Sequence, residues 1–169
     1  SCRSNGVFLG KIIDRAGQWH GPGVSDYSCG TVCYKSEWSS ESCFDSHASR
    51  PYVSLYDSCK GGINPGRSGG SWDRMPHHLG GFVLWNFYHL KSPVVKINFW
   101  SPNRAGREAC LTFDQPWVIG FHGDPLEIDS HSVTSLELKG EAVTPESLYA
   151  VQIQKRINRL PEWFKALNP

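Results

Sequence analysis

The sequence has almost no net charge and no long apolar run, and each lack excludes a class of function. Lys and Arg number 17 against 16 Asp and Glu, a formal charge of +1. A nucleic-acid binder normally shows a basic domain or stripe. Here the densest basic stretch, Lys155-Arg156-Ile157-Asn158-Arg159, is short, so no nucleic-acid partner is expected. No apolar run approaches the roughly 20 residues that span a bilayer, so no membrane span is expected either. There is no Asn-x-Ser/Thr sequon and no His-Glu-x-x-His. The Gly-rich Arg67-Ser68-Gly69-Gly70-Ser71 lacks the Lys-Ser/Thr ending of a phosphate loop and reads as a surface turn. Among the seven His, only His77 and His78 are adjacent, and neighbours in an extended chain point apart. No metal and no cofactor is predicted.

What the chain does have is cysteine and aromatic residues. Its 169 residues fit one domain, 1–169, long enough to bury a real core. Six cysteines, Cys2, Cys29, Cys33, Cys43, Cys59 and Cys110, are an even number crowded toward the front of the chain. Joined by turn-rich sequence, they read as a framework of three disulfides, whose pairing spacing alone does not choose. The chain begins Ser1-Cys2, which is read as a mature, secreted, extracellular form. Seven Trp, eight Phe and six Tyr are first of all core material.

Residues 1–78 show little regular patterning. Gly21-Pro22-Gly23, the Ser-rich stretch around Trp38, and Gly61-Gly62-Ile63-Asn64-Pro65-Gly66 read as loops. Residues 79–157 read as strands: Phe82–Leu90, Val94–Trp100, Cys110–Phe113, Trp117–Phe121, Val133–Lys139 and Tyr149–Gln154, the first two joined as a hairpin by Lys91-Ser92-Pro93. Short helices are expected at Thr144-Pro145-Glu146 and at 161–167. No internal repeat is visible. The predicted fold is a β-rich α+β domain, disulfide-stabilised, with a loop-rich N-terminal third. Its expected core is Phe82, Leu84, Val95, Ile97, Phe99, Leu136, Leu138, Val151 and Ile153.

The stretch from Leu136 to Ile153 has the layout strand, turn, one capped helical turn, strand, with Glu141 at the lip. A carboxylate there is suited to stabilising an oxocarbenium ion or taking a proton. The order Glu141, Ala142-Val143, Pro145-Glu146, Tyr149, Ala150-Val151 resembles the end of the catalytic core in ADP-ribosyltransferase toxins of the heat-labile enterotoxin type. Ser54-Leu55-Tyr56-Asp57 resembles, faintly, a segment before that family's Ser-Thr-Ser strand. The resemblance implies that Glu141 is the catalytic glutamate. The chain departs from the family elsewhere. Lys139 stands where active members carry an acid or Gln. The strand Gly81–Asn86 has no hydroxyl residue, and Val7–Ile13 offers only Lys11, with Arg15 beyond it. The resemblance therefore implies a degenerate relative that kept the scaffold and lost the chemistry, as in some secreted effectors of plant-pathogenic fungi.

Three functions compete on these residues. The first is a secreted, non-catalytic interaction protein, an effector or toxin-like module that binds a host protein or surface ligand. The second is a secreted enzyme acting on NAD or a glycan, with Glu141 or Glu137 as its acid. The third is a lectin, with Trp19, Trp38, Trp72 or Trp100 stacking on sugar rings and loop placement favouring Trp38 and Trp72 for exposure.

Overall fold

Six short runs along the chain end in the same way, on a residue with left-handed backbone. They are Phe8–Gly10, Cys29–Tyr34, Tyr52–Asp57, Phe82–Trp85, Trp117–Ile119 and Ser135–Glu137. The residues that follow them, Lys11, Lys35, Ser58, Asn86, Gly120 and Leu138, all have φ between 43° and 69°. The computed structural model describes residues 4–70, 72–101 and 111–168, and in it these runs pair side by side, in sequence order and parallel, as one six-stranded sheet. The left-handed residues therefore stack in a column along one edge. A second column, Gly6, Gly30, Val53, Gly81 and Gln115, also at positive φ, stands at the entry to five of the strands.

Sequential parallel strands joined by turns at fixed places make a solenoid, each coil resting only on its neighbours. The chain bends at the first column and enters a second parallel sheet, Lys60–Gly61, Tyr88–His89 and His122–Gly123, which Glu37 extends by a bridge to Lys60. Short pairs build the rest of the circuit: Gly23–Val24 with Asp45–Ser46, and Lys96–Ile97 with Glu127–Ile128. Coil length is irregular. From Val83 to Trp117 is 34 residues, and from Trp117 to Ser135 is 18. That irregularity hides the repeat from any fixed-period reading.

Register sets the core. The inward column of the main sheet is Leu9, Cys33, Tyr56, Leu84, Val118 and Leu136, of which the middle four are at most 2 % exposed. Past the bend, Ser36, Cys59, Phe87 and Phe121 are likewise buried. Phe44, Phe82, Phe99 and Phe113 fill the centre, with ring centroids 4.8–6.1 Å apart. Burying each ring contributes roughly 1.5–3 kcal/mol.

The outer face of the main sheet is covered by the end of the chain. Helix α1, Leu148–Ile157, starts at Ser147, whose Oγ accepts the Ala150 N–H at 3.0 Å. It ends at Asn158 in left-handed conformation, and α2, Glu162–Ala166, follows. Ile153 and Phe164 pack on Tyr34, Phe8 and Val32. Asp57, fully buried, fixes the start of α1: it accepts hydrogen bonds from Ser147 Oγ at 2.7 Å and from the Tyr149 N–H at 2.8 Å. Burial raises its carboxyl above the ordinary value, opposed by these bonds.

The β-rich α+β expectation holds, but the disulfide framework does not. Cys29, Cys33, Cys43 and Cys59 are free thiols; Cys2 and Cys110 lie outside the described residues. Cys33 and Cys59 stand 3.7 Å apart, sulfur to sulfur, as unbonded neighbours in the inward stack. They fill the core as small apolar side chains, and burial pushes the thiols of Cys43 and Cys59 up, keeping them protonated. The N-terminal third is not a loop region held by staples; it carries the first coils of the solenoid. The expected hairpin is also absent, because Tyr88–His89 and Lys96–Ile97 belong to different sheets. Within the expected core, Val95 is 82 % and Leu138 56 % exposed, whereas Phe82, Leu84, Ile97, Phe99 and Ile153 are buried.

His77, His78 and His89 are buried, each beside a hydroxyl. His78 Nδ1–H donates to the Leu79 carbonyl and its Nε2 accepts from Ser54 Oγ at 2.9 Å. Burial lowers the pKa of all three, that of His78 to about 4. The unfolded chain therefore binds more protons than the folded one between pH 6.5 and 4. Stability from His78 is present in full above pH 6.5 and is lost as pH falls toward 4, by about 3 kcal/mol. Urea midpoints measured from pH 7 to 4 should fall steeply, and the fall should be shallower in His78→Gln. An equal acid slope in the two proteins would contradict this role for the histidine.

Candidate functional site

The column of left-handed residues does more than turn the chain. A left-handed residue at a bend projects its side chain outward, and at consecutive coils these side chains reach the same passing segment, residues 142–147. Asn86 grips it most closely. Its Oδ1 accepts the Val143 N–H at 2.5 Å, and its Nδ2 donates to the carbonyls of Val143 at 2.8 Å and Glu146 at 2.9 Å. One coil earlier, Ser58 Oγ donates to the Glu146 carbonyl at 2.7 Å. One coil earlier again, Lys35 pairs with the Glu146 carboxylate at 2.9 Å. Burial is the largest single influence on the Lys35 ammonium and works against it, but the hydrogen bonds and charges of Glu146 and Tyr34 together hold its pKa above the ordinary value. Trp85 Nε1 adds a bond to the Pro145 carbonyl at 3.0 Å.

Strapped in this way, residues 142–146 form the wall of an open cleft of about 460 Å³. Its floor is the outer row of the second sheet, Glu37, Lys60, Tyr88 and His122, in register from coil to coil. At a spacing of about 4.8 Å per strand the row is roughly 14 Å long. Tyr88 is 42 % exposed; Lys60 Nζ lies 5.3 Å from its ring centroid and the His122 ring meets it edge-on, also at 5.3 Å. His122 Nδ1–H donates to the Gly120 carbonyl at 2.8 Å, which directs Nε2 away from the backbone. The cleft thus offers two ammonium groups, two carboxylates, an imidazole and a phenol. Among the described residues no group of three His, Cys, Asp or Glu is arranged to hold a metal.

A family model described as a domain of unknown function, DUF4955, matches residues 17–167. The chain belongs to this family. No curated protein and no solved structure matches it. The match of the DUF4955 domain takes in both the floor and the wall of the cleft.

The residues expected to act lie elsewhere. Glu141 is an exposed turn residue whose N–H donates to the Leu138 carbonyl; it does not line the cleft, and neither does Glu137, exposed on the last strand. The final strand expected over Tyr149–Gln154 is helix α1, so the strand-turn-strand layout behind the ADP-ribosyltransferase resemblance is not formed, and the fold is a parallel solenoid. Thr144-Pro145-Glu146 does not start the helix; Ser147 does. Trp38 is buried, its Nε1 bonded to the Gly62 carbonyl at 3.0 Å, while Trp19 and Trp100 are exposed and the Trp72 side chain lies outside the described residues. Sequence reasoning missed Lys35, Glu37, Lys60, Tyr88 and His122 as a group, because only the coil register brings them together. No helix among the described residues is long and apolar enough to cross a membrane.

Gly120 sits in the same column at φ +69°, and a Cβ there would stand 2.6 Å from Asn86 Oδ1 and 3.1 Å from a Val143 methyl. Gly120→Ala should therefore cost about 1–2 kcal/mol in backbone strain, with a further penalty for pushing the strap off Asn86. Thermal unfolding measures the first effect, and faster proteolysis within 142–147 the second. An Ala variant as stable and as resistant as the parent would contradict this packing.

Proposed function

We propose that this domain is a non-catalytic binding module that holds an oligosaccharide in the cleft under the strap. The observation that carries the reading is the row Glu37, Lys60, Tyr88, His122. It alternates donors, acceptors and an exposed ring along a shallow open groove. Hydroxyl-rich chains are recognised by such mixed polar–aromatic surfaces, which satisfy many hydrogen bonds while a ring covers a C–H face. A peptide would be expected to pair with a free strand edge or fill apolar pockets, and the floor of the cleft is a sheet face already paired on both sides of Lys60 and Tyr88. A nucleic acid would call for cations throughout, whereas the two lysines here share the site with two glutamates.

The non-catalytic half of the proposal rests on Glu146. Its carboxylate is tied to Lys35, which leaves Glu37 as the cleft carboxylate in no ion pair among the described residues. Glycoside hydrolysis ordinarily needs two carboxyl groups facing one bond. Electrophoresis through gels holding soluble polysaccharides, a panel of glucans, xylans and mannans, tests the reading. Retardation by a member of the panel, weakened about tenfold, or about 1.4 kcal/mol, in Tyr88→Ala, is the expected result. Free migration through the whole panel, or retardation indifferent to Tyr88→Ala, would refute it.

A further inference from the structure

Away from the cleft, on the face built by Gly23–Val24 and Asp45–Ser46, Trp19 is 58 % exposed. It is not a dangling side chain. Its carbonyl accepts from Ser42 Oγ at 3.2 Å, and two residues on the Gly21 N–H donates to the Cys43 carbonyl at 2.6 Å. Between them, His20 Nδ1–H donates to the Arg67 carbonyl at 2.8 Å. That bond holds the Arg67 backbone beside the indole, and its guanidinium carbon lies 4.3 Å from the Trp19 ring centroid. Arg67 forms no ion pair among the described residues. Next to this stack, Asp45 accepts from the Gly69 N–H at 3.3 Å and holds His47 Nδ1 at 3.0 Å. The His20 and His47 rings meet edge-on at 5.6 Å, with His47 half exposed beside a hollow of about 320 Å³ lined by Gly23, Val24, Asp45 and His47.

We propose that this face is a second binding site, for a sugar acid: the pyranose ring lies against the indole of Trp19, and its carboxylate takes the fork of Arg67. The occupant follows from what each alternative would leave unused. A simple anion would leave the indole bare. A neutral sugar would leave the guanidinium without its counter-charge, although a planar fork is made for a carboxylate. A nucleotide would use both, but its base is ordinarily held between two flat groups, and here Arg67 already covers one face of the Trp19 indole, leaving a single face for the ligand. A uronate uses ring and fork together, and His47, steadied by Asp45, faces the hollow where the sugar hydroxyls would lie. The inference stands apart from the cleft reading and does not need it.

Calorimetric titration of the full chain with trigalacturonate, its methyl ester and adenosine monophosphate tests the proposal. The acid should bind at least tenfold more tightly than the ester or the nucleotide. Trp19→Ala should lose at least tenfold, and Arg67→Lys, which keeps the charge and the fold but not the fork, should lose a similar factor. Tyr88→Ala should bind trigalacturonate like the parent. The proposal is overturned if trigalacturonate does not bind, if the ester or the nucleotide binds as well, or if Arg67→Lys binds normally. Loss in Tyr88→Ala with retention in Trp19→Ala would overturn it too, by placing the ligand in the cleft.

Discussion

Parallel, in-register stacking of coils is the constraint on which every other feature depends. A strand of three residues has no stability alone. Stacked on its neighbours, it gains a ladder of hydrogen bonds on each side and a column of side chains beneath. The register dictates that Cys33, Tyr56, Leu84 and Val118 share one inward column. It also dictates that Glu37, Lys60, Tyr88 and His122 share one outward row. Core and candidate site are two faces of the same periodicity.

The turning residues connect stability to function. Each coil bends on a left-handed residue, and the side chain at that place is free of the sheet. Lys35, Ser58 and Asn86 use that freedom to hold the 142–147 strap, while Gly120, at the same place one coil on, makes room for it. Asp57, one residue before Ser58, anchors the helix into which the strap runs. A single edge of the solenoid therefore positions the cleft wall and the cover of the main sheet. Of these contacts, the exposed ion pair between Lys35 and Glu146 contributes least, of order 1 kcal/mol or below. The amide of Asn86, bonded on both sides and buried, contributes most.

Part of this was legible in the sequence. Phe82, Leu84, Ile97 and Phe99 announce their burial, and Trp117–Phe121 announces a strand, because apolar runs read the same in any β fold. The solenoid itself was not legible. Its strands are two to six residues long, and its coils vary from 18 to 34 residues between Val83 and Ser135, so neither alternation nor period accumulates a signal. The cysteines misled for a physical reason: an even count in turn-rich sequence fits a covalent framework, yet in a stacked core a thiol is simply a small apolar side chain. Tyr149 to Gln154 misled because Tyr149, Val151 and Ile153 alternate as in a strand, while Ser147 four residues before Val151 supplies a helix cap that outweighs the alternation. Asn86 and Gly120 held the one local clue to the site. Each closes a short apolar run, and Asn and Gly are the residues that most readily take left-handed backbone.

The account centres on the strap: the cleft exists because Asn86 holds Val143, and the proposed oligosaccharide site depends on the cleft. Hydrogen exchange at the Val143 amide, in the parent and in Asn86→Ala, measures that link most directly when read beside polysaccharide retention. The account predicts slow exchange in the parent. In the variant it predicts fast exchange at Val143, protection kept at main-sheet amides such as the Val32 N–H, bonded to the Val7 carbonyl, and loss of retention. Fast exchange at Val143 in the parent, or full retention in a variant whose strap has opened, would contradict it.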